Sequence, residues 1–205
     1  MGNVDYNSIR NKIQKINRVK KEIDSIVSSK FQNAKEKMIN DFDSHPITQE
    51  IKSGPNGSNQ SNTLGGVGNL FSYIGFTDGS QPTDQVKNIL ENEVKISKGE
   101  LVLQNSKIKI KYKINYPSEN EISQKTPLPW ENGRSWVSGM ERGISGFGNY
   151  IYKVFSKGRS KMGLQSKNTI RGASFRPRMY WSEIAKNFLD NVNNIKIKWK
   201  RNEII

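Results

Sequence analysis

Residues 53–76 read SGPNGSNQSNTLGGVGNLFSYIGF. Gly54, Pro55 and Gly57 interrupt any regular helix or strand, and the Asn and Ser residues favour turns. Residues 53–69 are therefore expected to form a long polar loop, and loops of that length are usually functional. The loop runs without a break into Leu70-Phe71-Ser72-Tyr73-Ile74-Gly75-Phe76, expected to be a buried strand or a tight apolar plug. Gly65-Gly66-Val67-Gly68 lacks both the Gly-Lys-Ser/Thr ending and the preceding strand that a phosphate-binding loop requires. Nothing in the stretch is chemically reactive, so function has to follow from shape and charge.

Upstream, apolar residues fall at Ile9, Ile13, Ile16, Ile23, Val27, Phe31, Ala34, Met38 and Phe42. That is a helical period. Asp5 or Asn7 could cap the start, and Pro46 limits the end. A continuous helix over residues 5–42 would be about 55 Å long at 1.5 Å per residue, longer than the small domain that follows. Part of its stripe would then rest on a neighbouring chain or a second protein. The alternative is a bend near Ser28-Ser29, giving two helices folded back onto the sheet. The other face carries Lys12, Lys15, Arg18, Lys20, Lys21, Lys30, Lys35 and Lys37, either a solvated face or a contact for phosphate or acidic protein.

Downstream, residues 77–79 read as a turn and residues 82–90 as a short helix capped by Thr83 or Asp84. In residues 107–116, Ile108, Ile110, Tyr112, Ile114 and Tyr116 alternate with polar residues, the pattern of a half-buried antiparallel strand. Gln104-Asn105-Ser106 is a plausible hairpin turn back to a strand over residues 100–103, with another strand over residues 94–97. Ile195, Ile197 and Trp199 repeat the alternation. Lys109, Lys111 and Lys113, with Lys196, Lys198 and Lys200, would coat one outer face. Such a face either guards a strand edge or meets an anionic surface.

Residues 117–129 read as a linker. A helix is expected over residues 134–144, although its glycines oppose helix by about 1 kcal/mol each, with an irregular or strand-like continuation towards residue 155. Residues 156–178 are basic and Gly/Ser-rich, with a short strand expected near residues 169–175. A final helix covers residues 179–192. The fold class expected is α+β, with a long N-terminal helix, a small antiparallel β-sheet, a C-terminal helix and a long polar loop. Its organisation would be a helical arm, residues 1–44, on an α+β domain, residues 45–205, that carries the polar loop 53–69 and the basic loop 156–178.

The chain has 205 residues, 33% of them hydrophobic, and a mean hydropathy of −0.76, so its core is small and partners could add stability. The net charge of +14 favours nucleic acid, an anionic membrane or an acidic protein surface. The absence of Cys excludes thiolate catalysis and Cys-ligated metal. No apolar run approaches a membrane span, and no signal-peptide core is evident. His45, the one histidine, sits at a helix end where its cation would suit the dipole; no motif supports a triad around it. Asp41, Asp43 and His45 are a loose metal-like cluster of a kind common by chance. Glu119 and Glu121 have no paired acid. The expectation is a chain that is not an enzyme, with no catalytic residue, no cofactor, no metal and no membrane contact.

Several segments together resemble tailed-bacteriophage neck and tail proteins. They are His45-Pro46-Ile47-Thr48-Gln49-Glu50-Ile51 followed by Gly54-Pro55, then Thr63-Leu64-Gly65-Gly66, Gly68-Asn69-Leu70-Phe71-Ser72 and Ile74-Gly75-Phe76. Leu128-Pro129-Trp130, Gly133-Arg134-Ser135-Trp136 and Phe175-Arg176-Pro177 complete the set. The layout is similar to the tail-completion (minor tail component) family of long-tailed phages. It departs in Thr63-Leu64-Gly65 where that family has Thr-Gly-x-Leu, and in a Gly/Trp insert over residues 134–155. The resemblance implies a virion protein, assembled in the host bacterial cytoplasm into a ring at the head–tail junction or tail end. Its implied partners are copies of itself, other phage neck or tail proteins, and genome DNA through non-specific contacts. Candidates for the assembly interface are Ile9, Ile13, Ile16, Ile23, Val27, Phe31, Leu64, Leu70, Phe71, Phe76, Trp130 and Trp136. Candidates for contact with an anionic surface are Lys109, Lys111, Lys113, Lys196, Lys198, Lys200, Arg176 and Arg178. The alternative reading is a basic nucleic-acid-binding protein without sequence specificity.

Overall fold

A computed structural model describes residues 6–64, 68–104, 107–143, 150–152, 163–165, 176–195, 199–200 and 203–204. The N-terminal stripe resolves as one helix, α1 (Tyr6–Ser44), 39 residues long and unbroken at Ser28-Ser29. At 1.5 Å per residue it spans about 58 Å. His45 separates it from α2 (Pro46–Lys52). A single 3-10 turn, Gly54–Asn56, interrupts the polar loop. Residues 70–76 are not a strand but a buried apolar segment. They form a short helix, α3 (Leu70–Ile74), closed by Gly75 in the left-handed region at φ 90°. Asn69 starts it, its Oδ1 accepting from the Ser72 amide at 2.9 Å.

Then follow α4 (Pro82–Glu93), β1 (Lys95–Ile96), β2 (Glu100–Gln104), β3 (Lys107–Lys111) and β4 (Ile114–Asn115). The α4 cap is Gln81, with Pro82 in the first turn, because Thr83 is turned inward and buried. β2 and β3 form the expected hairpin, with Leu101 opposite Ile110 and Leu103 opposite Ile108. The alternating run breaks after Lys111, and its end, β4, pairs with β1 instead.

The span read as a linker contains α5 (Glu119–Lys125), started by a capping box between Ser118 and Glu121. That Ser-x-x-Glu pattern was a usable helix signal. β5 (Pro127–Leu128) pairs with β6 (Glu131–Ser135) around a bulge, and α6 (Trp136–Arg142) follows. β7 (Tyr150–Tyr152) pairs with β8 (Gly163–Gln165). The strand expected near residues 169–175 lies outside the described residues. The final helix is α7 (Trp181–Asn193), and β9 (Trp199–Lys200) pairs with β10 (Glu203–Ile204). The protein is thus α+β, with every strand pair antiparallel. The strands do not merge into one sheet: among the described residues they are five two-stranded ribbons.

One apolar core holds these elements together. Phe31, Met38 and Phe42 of α1 join Ile47 and Ile51 of α2, Val86 and Leu90 of α4, Trp136 of α6, and Tyr180 with Phe188 around α7. Phe76, Trp136, Tyr180 and Phe42 form a run of ring contacts 5.8–6.2 Å apart. The second half of α1 is a wall of the main core, and only its first half resembles an arm.

Candidate interaction groove

Within the heptapeptide at residues 45–51, Glu50 organises the polar loop while its neighbours fix α2 to the core. Ile47 and Ile51 point into the core. The Thr48 hydroxyl and the Tyr180 hydroxyl, both buried, share a hydrogen bond of 2.7 Å. The fully buried Glu50 is the centre. Its carboxylate accepts from the Ser61 amide at 2.8 Å, the Ser61 hydroxyl at 2.6 Å and the Leu70 amide at 2.7 Å. Three donors on one carboxylate compensate its desolvation and tie the middle of the loop and the start of α3 to α2. Asn69 donates to the Pro55 and Gly57 carbonyls at 2.7 and 2.9 Å. From the far end of the chain, the Arg176 amide donates to the Thr63 carbonyl at 3.0 Å.

This changes the reading of the loop. Leu64, Leu70, Phe71 and Phe76, expected at an assembly interface, are buried in the chain's own core, as are Val27, Phe31 and Trp136. Of these, Val27 still borders the groove described below, and the others are enclosed within the chain. Trp130 is half-buried, its indole N–H donating to the Ile74 carbonyl at 2.7 Å. Ile16 and Ile23 remain half-exposed. The side chains of Ile9 and Ile13 lie outside the described part of α1.

Ile16 and Ile23 line an apolar groove of about 850 Å³. One wall is α1, through Ile16, Val19, Ile23 and Val27. The other is the inner face of the strands, through Ile96, Leu101, Ile110, Tyr112 and Ile114. Val192 and Ile195 at the end of α7 close one side, and Lys15 and Lys20 stand on the helix wall. Val19 fits the helical spacing of Ile16 and Ile23, and that spacing was the signal by which it could have been found. Leu101 is 42% exposed.

A polar clasp joins the two walls. The Tyr112 hydroxyl donates to Asp24 at 2.6 Å, and Lys20 pairs with the same carboxylate at 2.6 Å. Hydrogen bonds from Lys20 and then Tyr112 hold the Asp24 carboxyl below its usual range. Burial, with this contact second, pushes the Tyr112 phenol well above its own. Gly99 fits beneath: a Cβ there would stand 2.5 Å from Ile110 Cγ2 and 2.7 Å from Asp24 Oδ1.

Lys109, Lys111 and Lys113 are exposed and alternate with the groove-lining Ile110, Tyr112 and Ile114, so they lie on the opposite face of the strands. Glu100 sits across from Lys111. Lys196 and Lys198 lie outside the described residues, as does the side chain of Lys200, whose strand pairs with β10 and not with the hairpin. Arg176 and Arg178 are exposed, and the Arg178 amide donates to the Met140 carbonyl at 2.9 Å. The structure therefore does not assemble the six lysines into one described face.

The titratable groups elsewhere are engaged structurally. Asp43 pairs with Lys52 at 2.5 Å and Lys87 at 2.6 Å, so it does not converge with Asp41 and His45. Among the described residues no group of three His, Asp or Glu side chains is placed to hold a metal ion. None of the described helices is long and apolar enough to cross a membrane. The reading of His45 as a helix-end cation is overturned: its Nδ1 accepts from the Ile47 amide at 3.2 Å as the N-cap of α2, which requires that nitrogen to be unprotonated, and burial lowers the imidazole pKa.

Searches of protein-family models, of curated proteins and of solved structures return no match to this chain.

Proposed function

We propose that the chain is a non-catalytic structural subunit of a tailed-bacteriophage virion, a ring component at the neck or tail end. The observation that carries this reading is the groove. An apolar cleft lies open along the first half of α1, and sizeable exposed apolar surface marks an interaction site. The resemblance of residues 45–76 to neck and tail proteins supplies the setting. The roles found for Glu50, Asn69 and Thr48 support it, since they make a polar loop into a fixed part of the body. Mass spectrometry of purified particles whose genome encodes the chain should detect it at ring-like copy number. Particles that lack it, together with a recombinant chain that stays strictly monomeric at high concentration, would sink the proposal.

A second reading has its own observation. Lys109, Lys111 and Lys113 all point outward from the hairpin, and lysine is suited to diffuse attraction without base recognition. Binding to duplex DNA that weakens steeply with salt, and that is lost when the three are changed to Gln, would favour a nucleic-acid contact. Salt-independent behaviour of the triple variant would leave the lysines as guards of the ribbon.

A further inference from the structure

We propose that the groove between α1 and the strands receives an acidic amphipathic helix of a different protein, and not a second copy of this chain. The inference rests on reading the groove as an interface and names its occupant. The cleft is apolar on both walls and bounded by an unbroken helix, a geometry that accepts the apolar face of a partner helix. Ile16, Val19 and Ile23 on one side and Leu101 and Ile110 on the other would meet residues at helical spacing on that partner.

Charge selects among occupants. Lys15 and Lys20 line the groove, and Lys12, Arg18 and Lys21 are exposed or half-exposed on the same half of α1. Two described carboxylates face them along the helix. Asp24 is held by Lys20 and Tyr112, and Glu22 pairs with Arg18 at 3.5 Å. Both are matched within the chain, so Lys15 in the lining, with Lys12 and Lys21 exposed on the same half of α1, leaves that half with an excess of positive charge. A second copy, itself carrying +14, would bring like charge to this half, and like-charge juxtaposition across an interface is repulsive. A helix with Glu or Asp flanking a Leu/Ile stripe would bury its stripe and meet the lysines.

The test uses the full chain and two designed helical peptides with the same Leu/Ile stripe, one flanked by Glu and one by Lys, each labelled for fluorescence anisotropy. The acidic peptide should bind at least about tenfold more tightly than the basic one, and the difference should shrink as salt rises. Leu101→Glu, at a position already 42% exposed, should weaken the acidic peptide about tenfold or more without loss of helix content. Lys15→Glu should narrow the preference between the peptides. Equal binding of the two, binding of neither, or an unchanged affinity in Leu101→Glu would overturn the proposal. So would sedimentation showing a self-dimer that Leu101→Glu abolishes, an outcome that leaves the virion reading intact.

Discussion

The two halves of α1 carry the same kind of apolar stripe and meet different fates. Beyond Phe31 the stripe disappears: Phe31 is 1% exposed, and Met38 and Phe42 are fully buried. Before Val27, Ile16 and Ile23 are only half covered. The first group is enclosed by α2, α4 and α7, helices that supply large side chains from several directions. The second faces a narrow strand ribbon and the tip of α7, which touch the helix at the Asp24 clasp and leave a cleft beside it. Periodicity reports which face of a helix is apolar. What covers that face depends on elements distant in sequence.

The sharpest way to break this contrast is to truncate one residue in each half. Phe31→Ala should lower unfolding free energy by about 3–5 kcal/mol, the usual loss for a buried ring. Ile23→Ala should lower it by less than about 2 kcal/mol, since its side chain is already partly in water. Urea denaturation measures both, and equal losses would show that the halves are packed alike. Next in size is Glu50→Ala. It strands the Ser61 and Leu70 amides, while the Ser61 hydroxyl keeps Thr63 as a partner, and buried unsatisfied donors cost about 1–3 kcal/mol each before relaxation. A total near 2–4 kcal/mol is expected, with faster protease cleavage in residues 53–64. A variant as stable and as resistant as the native chain would mean that Glu50 does not anchor the loop.

Smaller effects belong to the clasp at the groove. Gly99→Ala places a methyl against Ile110 and Asp24 and should cost about 1–3 kcal/mol by overpacking. Tyr112→Phe should cost about 1 kcal/mol, the worth of a typical hydrogen bond. Both should also change access to the groove, read as altered peptide affinity. If neither moves stability or affinity, the two walls are not held together here.

Much of the architecture was legible for local reasons. The α1 stripe, the β2–β3 hairpin and α7 all follow from short-range periodicity, and the structure has them within a few residues. Residues 70–76 were misread because Leu-Phe-Ser-Tyr-Ile is too short and too apolar for period to separate helix from strand; Asn69 as cap and Gly75 as terminator were the better evidence. The α5 capping box lay in a stretch dominated by Pro and Ser. The interface candidates Leu64, Leu70, Phe71 and Phe76 are buried for another reason. Apolar residues beside a polar loop suggest surface only if the loop is free, and Glu50 of α2 binds it down. The groove needed residues from α1, the ribbons and α7 at once, so no single stretch announces it.

The joint at the end of the well-packed half gives the smallest effect. His45 lies between α1 and α2, its side chain 14% exposed and its ring 4.9 Å from that of Tyr180. Burial lowers its pKa from the ordinary 6.5; Glu183 opposes the shift and Arg178 adds to it. The unfolded chain therefore takes up a proton near the ordinary value, while the folded chain takes it up only at lower pH. Stability from this group is fully present above pH 6.5 and is lost as pH falls towards the lower folded value. Protonation of Nδ1 would also remove the acceptor that caps α2. Asp24 and Asp43, whose pKa values are lowered, contribute a decline only at more acidic pH, as pH falls through the carboxylate range. His45→Asn isolates the histidine, because Asn is a favoured N-cap and does not titrate. Between about pH 7 and pH 5 the native chain should lose stability while the variant stays nearly flat, as read from urea midpoints. Parallel curves would show that the imidazole is no more buried in the folded chain than in water, and the α1–α2 joint would then belong with the loosely covered half of the helix.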